Sequence, residues 1–140
     1  MTEATAAPWV VYSDGASRGN PGPAAAGALV LDPAGKVCAE VSEALGIQTN
    51  NYAEYQGLIK GLEAALRLGA RDVEVRMDSE LLVNQAIGRY RVKHPGLIPL
   101  SIRMNDLRRQ FDSVTFKHVR REFNKQADAL ANRALDALKP

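Results

Sequence analysis

The sequence predicts an α/β domain built on a mixed five-stranded sheet covered by helices, with element order βββαβααβα. Three observations carry this. The first third of the chain holds three apolar or small-residue runs separated by turn chemistry. Apolar spacing then changes at Tyr52 from the strand pattern to threes and fours. Beyond Tyr52, helical and alternating segments follow one another. With 140 residues, 46% apolar and 24% charged, the chain is the size and composition of one ordinary globular domain, assigned to residues 9–140 behind a disordered tail, residues 1–8.

Trp9 to Ser13 is β-branched and aromatic, a strand expected to stop at Asp14-Gly15, where a polar Gly/Pro-rich loop runs through Pro23. Ala24–Leu31 and Val37–Leu45 flank Asp32-Pro33-Ala34-Gly35-Lys36, which has hairpin chemistry. Tyr55, Leu58, Ile59, Leu62, Ala65, Leu66 and Gly69 then mark one face of a helix, with Asn50 or Asn51 as its cap and Gly69 at its end. Val73, Val75 and Met77 alternate with charges in a strand ending at Asp78, and a short helix follows over 79–87. Gly88–Pro99 reads as a connection, 100–111 as a helix and 114–119 as the fifth strand. The last helix spans 125–138, with Asn124 as cap and Ala127, Leu130, Ala131, Ala134, Leu135 and Leu138 inward.

Composition narrows the chemistry. Cys38 is the only cysteine and reads as a small strand residue, which excludes an internal disulfide and fits a reducing compartment. No run approaches the roughly 18 apolar residues of a membrane span, and residues 1–8 lack a signal-peptide layout, so a cytoplasmic location is expected. Net charge is only +2, yet residues 89–125 hold ten Lys or Arg against three acids. Such a region suits an anionic polymer, although solvated helix faces look the same in sequence. The loop from Asp14 to Pro23 is no phosphate-binding fingerprint, because it lacks a Gly-Lys-Ser/Thr ending and leads into a strand.

Four acids stand where strands end or helices begin: Asp14, Glu54, Asp78 and Asp128. Each alone has an ordinary explanation, in turn chemistry or the helix dipole. Brought together they would repel one another unless protonated or neutralised, and hard divalent ions with oxygen ligands resolve that repulsion. His94 and His118 have no metal-ligand spacing, so Mg²⁺ or Mn²⁺ is expected rather than zinc.

At this point the residues resemble type 1 ribonuclease H. The resemblance covers about 10–138 and rests on YSDGASRGNPGPAAAG at 12–27, TNNYAEYQGLIKGLEAAL at 49–66, MDSELLVNQ at 77–85 and HVRREFNKQADALANRAL at 118–135. It implies a ribonuclease H-like fold and a catalytic, metal-holding set of Asp14, Glu54, Asp78 and Asp128. It also implies two ions of Mg²⁺ or Mn²⁺, bridged by Asp14, and endonucleolytic hydrolysis of the RNA strand of an RNA–DNA hybrid to 5′-phosphate and 3′-hydroxyl ends. By the same resemblance Asn20, Asn50 and Glu80 lie along the minor groove, backbone amides from Gly15, Ala16 and Ser17 assist, and Thr49 belongs to a DNA-phosphate pocket. Asn50 reads equally as a helix cap.

Two departures stand out. The loop before the last acid reads Arg120-Arg121-Glu122-Phe123-Asn124-Lys125, without the family's frequent histidine; an arginine, Arg121 first, is expected to hold phosphate or ease release there. The long basic, Trp-rich projection of some relatives is reduced to 88–99 with Arg89, Arg91 and Lys93, so binding is expected to be strongly salt-dependent. A monomer with no obligatory protein partner is expected. The alternatives are a hybrid-binding module of the same fold without catalysis, disfavoured by the retained acids, and a related nuclease or resolvase acting on DNA, disfavoured by Asn20 and Asn50.

Overall fold

The structure is a computed structural model that describes residues 7–138. Most of the expected tail lies outside the described residues; Ala7 and Pro8 are exposed. The elements are β1 (Trp9–Ser17), β2 (Gly22–Leu31), β3 (Val37–Gln48), α1 (Asn50–Arg67), β4 (Asp72–Met77), α2 (Glu80–Ala86), α3 (Ile98–Arg108), β5 (Ser113–His118) and α4 (Lys125–Asp136). One sheet runs in the order β3-β2-β1-β4-β5, with β1–β3 antiparallel and β1, β4 and β5 parallel, as the element order predicts.

Strand alternation sends side chains to two different cores. Val11, Val73, Val75 and Met77 face a large core completed by Tyr55, Leu58 and Leu62 of α1, Leu82 of α2 and Met104 and Leu107 of α3. On the opposite face Ala25 packs with Ala131 and Leu135 of α4. Small residues let helices lie close on both faces of the sheet: a side chain at Gly27 of β2 would meet the Ala127 carbonyl of α4, and one at Gly61 of α1 would meet Val11 of β1 and Ala28 of β2. Asp32 Oδ1 accepts from the amides of Ala34 and Lys36, both at 2.9 Å, and Gly35 takes φ 87°, which closes the expected hairpin.

Four local expectations are corrected. The first strand does not stop at Asp14: it runs to Ser17, because the Gly and Ala residues of β2 continue pairing with it, Asp14 opposite Gly27. The parallel pairing with β4, however, ends at Tyr12–Arg76, so Asp14 still projects beyond the parallel ladder. Helix α1 is capped by Thr49, whose Oγ1 accepts from the Tyr52 amide at 3.2 Å, and not by Asn50 or Asn51. Helix α3 begins at Ile98 because Pro99 fits a first turn, where its missing N–H costs nothing. Finally, α4 stops at Asp136 and Leu138 is 53% exposed, not inward. Asn124 occupies the cap position of α4 without making a cap bond.

Candidate active site

Asp14, Glu54 and Asp78 meet at the carboxyl ends of the parallel strands. One carboxylate oxygen from each lies within 4.8 Å of the others. Three glycines make this approach possible. A Cβ on Gly15 would stand 2.2 Å from the Ala53 carbonyl carbon and 2.3 Å from the Glu54 amide, and one on Gly57 would stand 2.2 Å from the Asp14 carbonyl oxygen. Without side chains there, α1 rests directly on β1 and Glu54 reaches Asp14. Gly27, opposite Asp14 in β2, likewise admits the first turns of α4.

Asp78 follows β4 directly, and Ser79 caps α2 by accepting from the Leu82 amide at 3.2 Å. The Ser79 hydroxyl also favours the ionised form of Glu54, lowering its pKa against larger opposing effects. Asp128, in the first turn of α4, is half-buried and lines the same cleft. Its expected place in one tight quartet is modified: Asp128 is outside the 4.8 Å group but close enough to Asp14 to help raise its pKa. The reason is that it arrives from the opposite helical layer.

Protonation records the crowding. Burial, then the charge of Asp78, pushes Asp14 up to about 8, while Glu54 is pushed up to about 7, again by burial first and Asp78 second. The unfolded chain releases these protons near their ordinary values of 3.8 and 4.5. The resulting stabilisation of the metal-free protein is therefore full below about pH 4 and lost as pH rises through 7 to 8. In chelator, the melting temperature of wild type should fall more from pH 5 to pH 8.5 than that of Asp14→Asn. Parallel curves for the two proteins would refute this linkage.

The cluster fits a hard divalent cation, because its donors are all carboxylate oxygens and a cation would relieve the repulsion that opposes their ionisation. Among the described residues it is the one group of three potential ligands at such spacing. His94 and His118 are exposed and stand outside it.

The adjoining cleft, about 460 Å³, is lined by Asp14, Gly15, Ala16, Ser17, Asn50, Asn51, Glu54, Asp78, Arg121 and Asp128. Arg121 is 90% exposed and reaches to 4.0 Å from Asp78, so the ion pair itself stabilises little and the guanidinium remains accessible from solvent. The expected loop at 120–125 contains a 3₁₀ turn, Arg121–Phe123.

Several expected substrate residues occupy other roles. Asn20 and Asn50 do not stand as two free probes: Asn20 Oδ1 accepts from the Asn50 amide at 3.1 Å, and Asn50 Oδ1 accepts from the Ser17 amide at 2.8 Å. Together they tie the β1–β2 loop to the start of α1. The Gly15 amide donates to Asp14 Oδ1 at 2.9 Å, so the Gly15 and Ser17 amides expected to meet substrate are already engaged. Ala16 lines the cleft, whereas Asn20, Thr49 and Glu80 do not, and Glu80 is exposed on α2. The sequence does not signal that Asn51 lines the cleft, whereas the Asp-Ser pair at 78–79, just before a helix, signals the cap at Ser79.

The chain is similar in sequence and in fold to known proteins. The family described as "Reverse transcriptase-like" matches residues 12–134. The bifunctional protein Rv2228c of Mycobacterium tuberculosis is 49% identical over 129 residues, which are 91% of this chain and 35% of that protein. Ribonuclease HI of Halobacterium salinarum is 46% identical over 89% of this chain and 63% of its own length. The chain thus spans about a third to two-thirds of these curated relatives. Among solved structures, the N-terminal RNase H domain of the mycobacterial protein has TM-score 0.89 at 48% identity, covering 91% of this chain and 98% of that one. Halobacterium RNase H1 gives 0.89 at 45%, covering 92% and 98%. LC11-RNase H1, isolated from compost and solved in complex with an RNA/DNA hybrid, gives 0.88 at 41%, covering 94% and 99%. With its sheet order, its acid cluster and nearly the whole of the described chain matched in both sequence and structure, this protein belongs to the type 1 ribonuclease H family.

Proposed function

We propose that this chain hydrolyses the RNA strand of RNA–DNA hybrids, using two Mg²⁺ or Mn²⁺ ions held by Asp14, Glu54, Asp78 and Asp128 and acting as a monomer. The observation that carries the reading is the placement of three carboxylates within 4.8 Å at the carboxyl edge of the parallel strands, beside an open cleft. When bound, the divalent ions supply Lewis acidity that activates water and neutralises charge on the departing 3′ oxygen. Asp14, grouped with Glu54 and Asp78 and close to Asp128, would hold the ions together with them.

The remaining lining residues orient the strand. Asn50, its Oδ1 held by Ser17, keeps its amide NH₂ as a donor, which suits the acceptor oxygens and nitrogens of a minor groove and the 2′-hydroxyl that distinguishes RNA. Arg121 offers an accessible cation to a phosphate beside Asp78. The LC11 relative in complex with an RNA/DNA hybrid, at 41% identity, supports this substrate class.

A hybrid labelled on its RNA strand should be cut internally with Mg²⁺ or Mn²⁺ and spared in chelator, with an all-DNA duplex left whole. Binding without metal-dependent cutting would contradict the proposal and favour the inactive binding module. Arg121→Ala should reduce kcat/KM by about tenfold, near 1.4 kcal/mol of transition-state stabilisation. Its apparent affinity for hybrid should also fall less steeply with salt than that of wild type, one phosphate contact having been removed. An unchanged rate and an unchanged salt slope would remove Arg121 from the substrate path.

A further inference from the structure

Asn124 is the most conspicuous polar residue that the catalytic reading does not use. It is 1% exposed, and its Nδ2 donates at 2.9 Å to the carbonyl oxygen of Ser13, the residue before Asp14. Its own Oδ1 is buried without a hydrogen-bond partner. The common use of Asn at a helix start is to cap it. Here no cap bond forms, because the carboxamide is turned toward β1 instead. Burying an unsatisfied acceptor is unfavourable, and such arrangements persist where the remaining bond fixes something the fold needs.

What the bond fixes can be read from its two ends. Ser13 is one residue past the last parallel pair of β1 with β4 and immediately before Asp14. On the other side, the Asn124 carbonyl accepts from the Asp128 amide at 3.1 Å, and the Asn124 amide donates to the Arg121 carbonyl at 2.9 Å. Asn124 therefore links, through its side chain on one side and its backbone on the other, the segments that carry Asp14, Asp128 and Arg121. The two acids come from different layers of the fold, so no local structure sets their separation.

We propose that Asn124 is a positioning residue that holds the first turn of α4 against β1, setting the Asp14–Asp128 spacing needed for divalent-ion binding. This rests on the metal-holding role assigned above to the acids. A second tie supplies the control: Ser42 Oγ of β3 donates to the Leu130 carbonyl of α4 at 2.6 Å, anchoring the same helix to the same sheet at a residue that does not line the cleft.

The test compares Asn124→Ala, Asn124→Asp and Ser42→Ala with wild type. Thermal unfolding, calorimetric Mg²⁺ titration without substrate, and hybrid cleavage would be measured on each. Asn124→Ala should weaken Mg²⁺ binding at least fivefold and lower kcat at least tenfold, with the KM for hybrid within about threefold. Asn124→Asp keeps the volume and has no donor for the Ser13 carbonyl once ionised; at pH 9, above the range in which burial keeps the neighbouring Asp14 protonated, it should lose kcat at least as much, and it provides the test if the alanine variant does not fold. Ser42→Ala should lose stability while keeping wild-type Mg²⁺ affinity and kcat. Wild-type kcat in Asn124→Asp at pH 9, or equal losses in Asn124→Ala and Ser42→Ala, would overturn the proposal. Failure of wild type itself to bind Mg²⁺ or cut the hybrid would instead overturn the functional reading beneath it.

Discussion

Asp14→Asn is expected to lower kcat for hybrid cleavage by at least about 10³-fold, equivalent to about 4 kcal/mol of lost transition-state stabilisation, while the protein remains folded. Asp14 is the most enclosed of the acids, 8% exposed, and the one that neighbours all the others. Asparagine keeps its size and one oxygen but removes the negative charge that would help hold the proposed cations. The fold survives because β1 is held through Asp14 by backbone pairing to β2, and because the substitution relieves like-charge crowding with Asp78. Circular dichroism, thermal unfolding and cleavage of labelled hybrid check this together. A folded Asp14→Asn protein with more than a tenth of wild-type kcat would refute the assignment.

Gly57→Ala carries a large expected effect although it removes no functional group. On an isolated helix the substitution would stabilise by about 1 kcal/mol. In this fold the added methyl would lie 2.2 Å from the Asp14 carbonyl oxygen and 3.0 Å from its carbonyl carbon, backbone atoms that cannot rotate away. The helix must lift from the strand, at a net cost of about 1–3 kcal/mol and occasionally more. Since α1 also carries Glu54, the same displacement should open the carboxylate cluster and lower kcat even at temperatures where the protein is fully folded. Gly57→Ala with wild-type melting temperature and wild-type rate would show that the close approach of α1 to β1 is not what assembles the site.

That close approach also marks the boundary of what the amino-acid pattern could reveal. Alternation in 73–77, the hairpin chemistry of 32–36 and the three-four spacing from Tyr55 to Leu62 were legible because each is local, and the element order followed from them. The acids were legible as a set through their positions at strand ends and helix starts. Asp-Gly reads as a turn and so puts Asp14 at a strand terminus; in the fold β2 continues to pair past it, and Gly15 serves to admit α1. Thr49 rather than Asn50 caps α1 because Asn50 is drawn to the Ser17 amide, 33 positions away in sequence. Asn124 gives up its cap for Ser13, 111 positions away. These choices are decided by tertiary partners, which no window of local sequence contains. Leu138 continued the helical stripe in sequence but lies past the end of α4, where no element covers it.

Anomalous diffraction from crystals of the protein with Mn²⁺ and a hybrid whose scissile phosphate cannot be cleaved tests the central claim most directly. Two manganese peaks about 4 Å apart, each in contact with an Asp14 oxygen and together reached by Glu54, Asp78 and Asp128, are the predicted result. Manganese bound elsewhere, with these carboxylates left without an ion while the hybrid occupies the cleft, would contradict the account.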